Sequence, residues 1–395
     1  MNLHIKPYHL LHITYTKMGQ EESYACSVDN VPIDCLNYSE LTSQNIVQSC
    51  IQMPNTVRLT NNECIWSIEN SGSLKTPLSR VGHFSVLDAD NKFCYIGYGS
   101  TSDNTSYNDL WRFDIESREW LKIELKGDVR TPRNGAKAVM INDDTILVFG
   151  GYRNGRYYAD LHSINIKTGN VETVPTNNEP SARSTPVFEY YNQKLVVWGG
   201  YNGQFPSELN ILDMKTMNWK SIPTKIKGRT GIPHVLYDGS IICYGNSNFD
   251  GFLNIDIEKE TISYVQATGT PPPPKQLGAS NVKVGKYILY YGGKDRSRTT
   301  FIYVLDPIRQ KWFILHVLPN GVTTTFDKGT ILDNGMFMIP KRYGVTMCYS
   351  KKTKELLFIQ GSNNEEEEIW VFNLEEALAA LNHREDLIDM LNFQL

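Results

Sequence analysis

A short apolar run ending on glycine recurs six times along the chain, and this period limits the fold more than any other feature. The runs are Cys94-Tyr95-Ile96-Gly97-Tyr98-Gly99, Leu147-Val148-Phe149-Gly150-Gly151 and Val196-Val197-Trp198-Gly199-Gly200. Then come Ile242-Cys243-Tyr244-Gly245-Asn246, Leu289-Tyr290-Tyr291-Gly292-Gly293 and Phe358-Ile359-Gln360-Gly361. Successive copies lie about 45–70 residues apart, the span of one supersecondary unit that buries its apolar face by stacking on its neighbours.

Two further landmarks keep register with the first. Each copy is followed by an apolar segment that closes on Asp or Asn, at Asp114, Asn165, Asp213, Asp256, Asp306 and Asn373. Such a side chain accepts hydrogen bonds from the backbone just beyond it and starts a tight turn. Trp120, Trp219 or Trp312 then follows, with Val171 and Ile262 as weaker substitutes. Each unit is preceded by Arg two residues before Gly: Arg80-Val81-Gly82, Arg133-Asn134-Gly135, Arg229-Thr230-Gly231 and Arg342-Tyr343-Gly344. Arg183-Ser184-Thr185 keeps the Arg, and Gln276-Leu277-Gly278 keeps the Gly.

Three landmarks in one order, six times over, resemble the kelch repeat across residues 64–374. The resemblance implies an all-β fold, a six-bladed kelch β-propeller of four-stranded blades. Gly97-Tyr98-Gly99, the lone Gly245 and Gln360-Gly361 depart from the family's Gly-Gly. After Asn373 the pattern reads as a C-terminal α-helix over 375–395, with Leu378, Leu381, Ile388, Leu391 and Leu395 near one face. The last blade therefore lacks an outer strand downstream, while Cys64-Ile65-Trp66-Ser67-Ile68 is an orphan strand upstream. We expect 64–68 to close the last blade, as kelch propellers are known to close, which protects strand edges. Residues 1–63 read as an irregular extension, with strands suggested over 8–17 and 23–28 and a helix over 39–51. They hold no Gly-Gly, so a seventh blade is the lesser reading.

Composition excludes several functions. With 41% hydrophobic residues and a formal charge of −4, the chain lacks the basic excess of a nucleic-acid binder. No run approaches the ~18–20 apolar residues of a membrane span, and the N-terminus lacks a signal-type apolar core. Seven Cys without a CxxC argue against a disulfide framework or a zinc site, and a cytoplasmic protein with free thiols is the expectation. No P-loop, dinucleotide fingerprint or nucleophile elbow is present. No two of the eight His (4, 9, 12, 83, 162, 234, 316 and 383) sit at metal-ligand spacing on one expected strand. No cofactor and no catalytic residue is therefore expected.

The function expected is a non-catalytic protein-interaction scaffold, with a cytoskeletal or ciliary setting taken from what some family members do. A copper-radical oxidase or a carbohydrate-binding module is the alternative. In a kelch blade the entry to the first strand and the loop after Gly-Gly emerge on one face. The first set brings Arg80, Arg133, Arg183, Arg229 and Arg342. The second brings Arg153, Arg156, Tyr157, Tyr158, Tyr201, Phe205, Phe249, Lys294, Arg296 and Arg298. Together they are expected to bind an acidic or phosphorylated protein segment, because Arg forks match carboxylates and phosphates. The competing reading pairs these Arg with Asp and Glu between blades. Glu365 to Glu368 is expected as a solvated loop tip on the same face, the helix as a second contact, and the 30-residue connection from Trp312 to Arg342 as a functional loop or a packed hairpin.

Overall fold

The computed structural model describes residues 64–246, 251–333, 335–362 and 368–383, together with a short pairing of Asn2–Leu3 with Ile13–Thr14. Six sheets carry the repeat landmarks. Repeats 1 to 5 span 84–123, 137–173, 187–222, 234–265 and 277–315, each with four antiparallel strands. Repeat 6 is Thr346–Ser350, Glu355–Ile359 and Glu368–Asn373, with Cys64–Asn70 as its fourth strand.

The glycine-terminated runs are apolar at every position because their strands are buried on both faces. Ile146 and Val148 enter a core shared with repeat 1, whereas the alternating Leu147 and Phe149 enter one shared with repeat 3. Ile288 and Tyr290 likewise face repeat 4, while Leu289 and Tyr291 face repeat 6. Among the described residues there are six such apolar clusters, each between two successive repeats, the last joining repeat 6 to repeat 1 through Cys348, Leu357, Cys94 and Phe113. The sheets therefore close a ring.

The expectation of six four-stranded blades needs correction, since the described residues hold seven sheets of three or more strands. The added sheet is three-stranded, from Thr299–Thr300, Phe337–Pro340 and Thr330–Ile331, and most of it comes from the long connection before Arg342. In addition, repeats 2, 5 and 6 gain a fifth strand. Lys126–Gly127, Thr268–Gly269 and Val317–Pro319 each leave one repeat and pair in parallel with the outer strand of the next. These pairings cover edges that would otherwise present unpaired backbone groups.

Closure rests on the upstream strand. Ile65 to Asn70 pair in antiparallel register with Asn373 to Glu368. Trp66 is fully buried, 4.9 Å from Trp370 and 6.4 Å from Phe372 between ring centroids. Arg118 of repeat 1 reaches Glu69 at 3.4 Å and Glu355 at 2.5 Å, joining the two ends of the ring. The long connection clasps the same strand. Thr324 donates its hydroxyl to the Trp66 carbonyl, Ile68 donates its N–H to the Thr323 hydroxyl, and the Phe337 ring packs tilted against Trp66. The helix is described over Glu375–His383, and Leu374, Ala377 and Leu378 seat its start on the repeat 5–repeat 6 core. Residues 384–395, and the readings made for 23–28, 39–51 and most of 8–17, lie outside the described residues.

Two outcomes test this architecture. Gly199 has φ +66°, and a Cβ there would lie 2.3 Å from the Arg229 carbonyl oxygen, whereas Gly155, also at positive φ, has open space around it. Gly199→Ala should therefore cost about 2–4 kcal/mol in urea unfolding, and Gly155→Ala only about 1 kcal/mol. Removal of residues 1–70 should expose two strand edges and give aggregates in size-exclusion chromatography, where an unchanged monomer peak would contradict closure by Cys64–Asn70.

Candidate functional site

The five expected Arg are not on the surface. Arg80, Arg133, Arg183, Arg229 and Arg342 are each 93% buried or more. Each of the first four reaches inward to the glycine turn of its own repeat. Arg80 donates to the Tyr98 carbonyl at 3.1 Å, Arg133 to Gly150 at 3.2 Å, Arg183 to Gly199 at 3.1 Å and Arg229 to Gly245 at 2.9 Å. Carboxylates complete three of the five sites, Asp109 on Arg80, Asp160 on Arg133 and Glu368 on Arg342. Aromatic faces cover four: Tyr107, Tyr158, Tyr264 and Trp370. The expected Arg rim is thus corrected to a set of internal clasps. Hydrogen bonds to the turn carbonyls turn the guanidinium groups inward, where leaving them unpaired would carry a large desolvation cost. Glu368, expected in a solvated tip, belongs to one of these clasps. Glu365 to Glu367 lie outside the described residues.

The departures from the repeat follow from the same geometry. Tyr98 holds the first place of its glycine doublet at φ 64°, and Gln360 does so at φ 59°. Tyr98 offsets its backbone strain by burying its ring and bonding His162 Nε2 through its hydroxyl at 2.7 Å. His162 Nδ1 in turn lies 3.4 Å from Asp160, the partner of Arg133. Burial opposes ionisation of Asp160, yet His162 and Arg133 hold its carboxyl well below the usual range. Repeat 5 has Gln276 where the others have Arg, and its amide donates to Asp295 at 3.2 Å.

The second set of residues does lie on loops at the exposed end of the clasps. Tyr152–Arg153 and Arg156–Tyr157 form a small hairpin in repeat 2. Its rings continue into repeat 3, with Tyr152 to Tyr157 at 4.9 Å, Tyr157 to Tyr201 at 6.1 Å and Tyr201 to Phe205 at 5.2 Å. Tyr201 and Phe205 are 37% and 38% exposed, more than most large apolar groups among the described residues. Arg156 is exposed and sits over Tyr158, and Lys227 sits over Phe205. Arg153 is half-buried, while Lys294, Arg296 and Arg298 are exposed on the loop of repeat 5. Phe249 lies outside the described residues. Tyr152 and Lys227 were not singled out from the sequence. Tyr152 directly follows Gly151 and is visible to the same rule, but Lys227 sits in an inter-repeat connection with no landmark.

The ring axis carries a polar channel. A cavity of about 240 Å³ is lined by His83, Ser85, Lys137, Glu189, His234 and Thr346, among others. Its rim is the Arg-x-Gly register. Gly135 donates its N–H to Gly82, Thr185 to Gly135, Gly231 to Thr185, Gly278 to Gly231 and Gly344 to Gly278, at 2.6–3.1 Å. His83 bonds Thr346 at 2.7 Å across the repeat 1–repeat 6 seam, and His234 accepts the Phe188 N–H at 3.3 Å. Burial pushes these imidazoles down to about 3 and about 4, so both are neutral at physiological pH. Burial pushes the Glu189 carboxyl up to about 8, against the opposing pull of Lys137. It lowers Lys137, which Glu189 partly restores. Cys64, Cys94, Cys243 and Cys348 are buried thiols, and Cys26, Cys35 and Cys50 lie outside the described residues.

A carboxyl raised on folding stabilises the fold fully below its unfolded value of about 4.5, and that stability is lost as pH rises through about 8. Glu189→Gln should therefore match the parent in thermal unfolding at pH 4.5 and exceed it at pH 8.5. Equal melting temperatures across that range would contradict the raised Glu189 carboxyl.

The comparisons with known proteins agree with this geometry. The profile of the KLHDC2/KLHL20/DRC7 Kelch-repeats domain matches residues 52–246. Kelch domain-containing protein 2 of Bos taurus is 25% identical over 76% of this chain and 77% of its own length. Tip elongation aberrant protein 3 of Schizosaccharomyces pombe is 27% identical over 28% of this chain and 10% of its own. Rho GTPase-activating protein gacHH of Dictyostelium discoideum is 34% identical over 27% of this chain and 7% of its own. With the repeat register, the glycine clasps and the closed ring of sheets, they place the chain in the kelch-repeat β-propeller family.

Proposed function

We propose that this chain is a non-catalytic protein-interaction propeller that binds an acidic or phosphorylated segment on the loop face of repeats 2 and 3. The observation that carries this reading is the continuous aromatic strip of half-buried Tyr152 and Tyr157 and exposed Tyr201 and Phe205, flanked by Arg153, Arg156 and Lys227. Aromatic and Arg side chains dominate binding energy at interfaces, and adjacent cations select an acidic partner and speed its encounter. Lys294, Arg296 and Arg298 extend the positive charge along the same face. In this reading the propeller spans 64–374. Residues 1–63 form an extension, and 375–395 offer a second contact. A cytoplasmic, cytoskeletal or ciliary setting belongs to the same reading, and one relative is named for tip elongation.

A fluorescent Glu/Asp-rich peptide, with and without phosphoserine, provides the test by polarisation. The parent should bind it more weakly at 200 mM than at 50 mM salt. Tyr201→Ala with Phe205→Ala, and separately Arg153→Glu with Arg156→Glu, should each weaken binding tenfold or more with a nearly unchanged melting temperature. Equal affinity in both variants, or equal binding of a Lys-rich peptide, would refute the assignment.

A further inference from the structure

We propose that the central channel binds a small free oxyanion of the phosphate or sulfate class, with Lys137 as its principal ligand. The channel wall has a charge imbalance. Glu189 is the one carboxylate among the described residues that line either of its two connected cavities. Against it stand Lys137 in the upper cavity and Lys283 and Lys351 in the lower, which has a volume of about 610 Å³. Lys137 and Glu189 occupy the first strands of adjacent repeats, and among the described residues the Lys137 ammonium makes no hydrogen bond or ion pair. Glu189 on the adjacent first strand is the carboxyl that faces Lys137, and because it stays protonated below about 8 it supplies no full negative charge at lower pH, so an anion admitted from solvent can take that place.

The remaining lining suits an anion. The hydroxyl groups of Ser85 and Thr346 and the Asn281 amide add polar groups to the wall. At about 30 Å³ per water, the upper cavity has room for about eight waters, or an oxyanion with part of its hydration shell. Glu189 makes occupancy depend on pH. Lys137 faces it from repeat 2, His234 from repeat 4 and His83 from repeat 1, with Cys243 behind it and Lys283 and Lys351 towards the far mouth. While protonated, its carboxyl adds an O–H donor to the cavity. Once ionised, it repels the anion and competes for Lys137. This site is independent of the loop face, so either assignment stands if the other fails.

The test is thermal unfolding of the full chain in sodium sulfate against sodium chloride at equal ionic strength. Sulfate stays a dianion across the pH range used, so its own charge does not change. At pH 6.5, 10 mM sulfate should raise the melting temperature of the parent by about 2–4 °C, and the rise should shrink at pH 8.5. Lys137→Met should abolish the shift, and Glu189→Gln should preserve it at pH 8.5. Absence of a shift in the parent overturns the proposal. A shift that persists in Lys137→Met, meaning an adventitious ion only, also overturns it. So does a Lys137-dependent shift given by a phosphopeptide and not by sulfate or inorganic phosphate. Should Lys137→Met fail to fold, tungstate soaked into crystals of the parent decides. Anomalous density within hydrogen-bond reach of the Lys137 ammonium supports the site, and density elsewhere, or none, refutes it.

Discussion

The ring depends on one repeated contact, the meeting of a buried Arg with two successive glycine turns. The Arg side chain holds the turn of its own repeat, as Arg133 holds Gly150. Its backbone carbonyl accepts the N–H of the second glycine of the repeat before, as Arg133 accepts Gly99, Arg183 accepts Gly151 and Arg229 accepts Gly200. The same bond joins Gly293 to Arg342, and Gly361 to Arg80 completes the circuit at 3.2 Å. One residue thus satisfies polar groups on two sheets whose apolar faces are already pressed together. A guanidinium is suited to this place because its planar fork serves a carbonyl and a carboxylate at once.

That contact also sorts the loop face into two layers. Charge at the base of each loop is internal and satisfied, whereas the loops beyond it are free to vary. Tyr158 marks the boundary, with Arg133 on it at 3.7 Å and the exposed Arg156 at 5.2 Å. The aromatic strip stands on rigid supports, since its hairpin starts at Gly151 and its second half follows Gly200. A rigid base under exposed rings lowers the ordering cost of binding.

The channel follows from closure in another way. The first strands of the repeats line the axis, where polar side chains share the cavity wall with apolar ones. Lys137, Glu189 and the two neutral imidazoles accumulate there because the sheets converge, although they stand far apart in the chain. The histidines serve the seams between first strands, His83 through Thr346 and His234 through the Phe188 N–H.

Much of this was legible in the chain alone. Strand order, the repeat and the two-sided burial of each glycine run are written in residues close in sequence, because a period of two and a turn depend on near neighbours. Tertiary structure decided the rest. Whether Arg133 pointed to solvent or to Gly150 was open, because a loop residue's direction depends on acceptors from another strand. The Trp312-to-Arg342 connection became a sheet and a clasp because Trp66, more than 240 positions upstream, arrived beside it. Tyr157 and Tyr201 meet because repeats 2 and 3 pack side by side, a contact that depends on the neighbouring sheet and not on near neighbours in the chain.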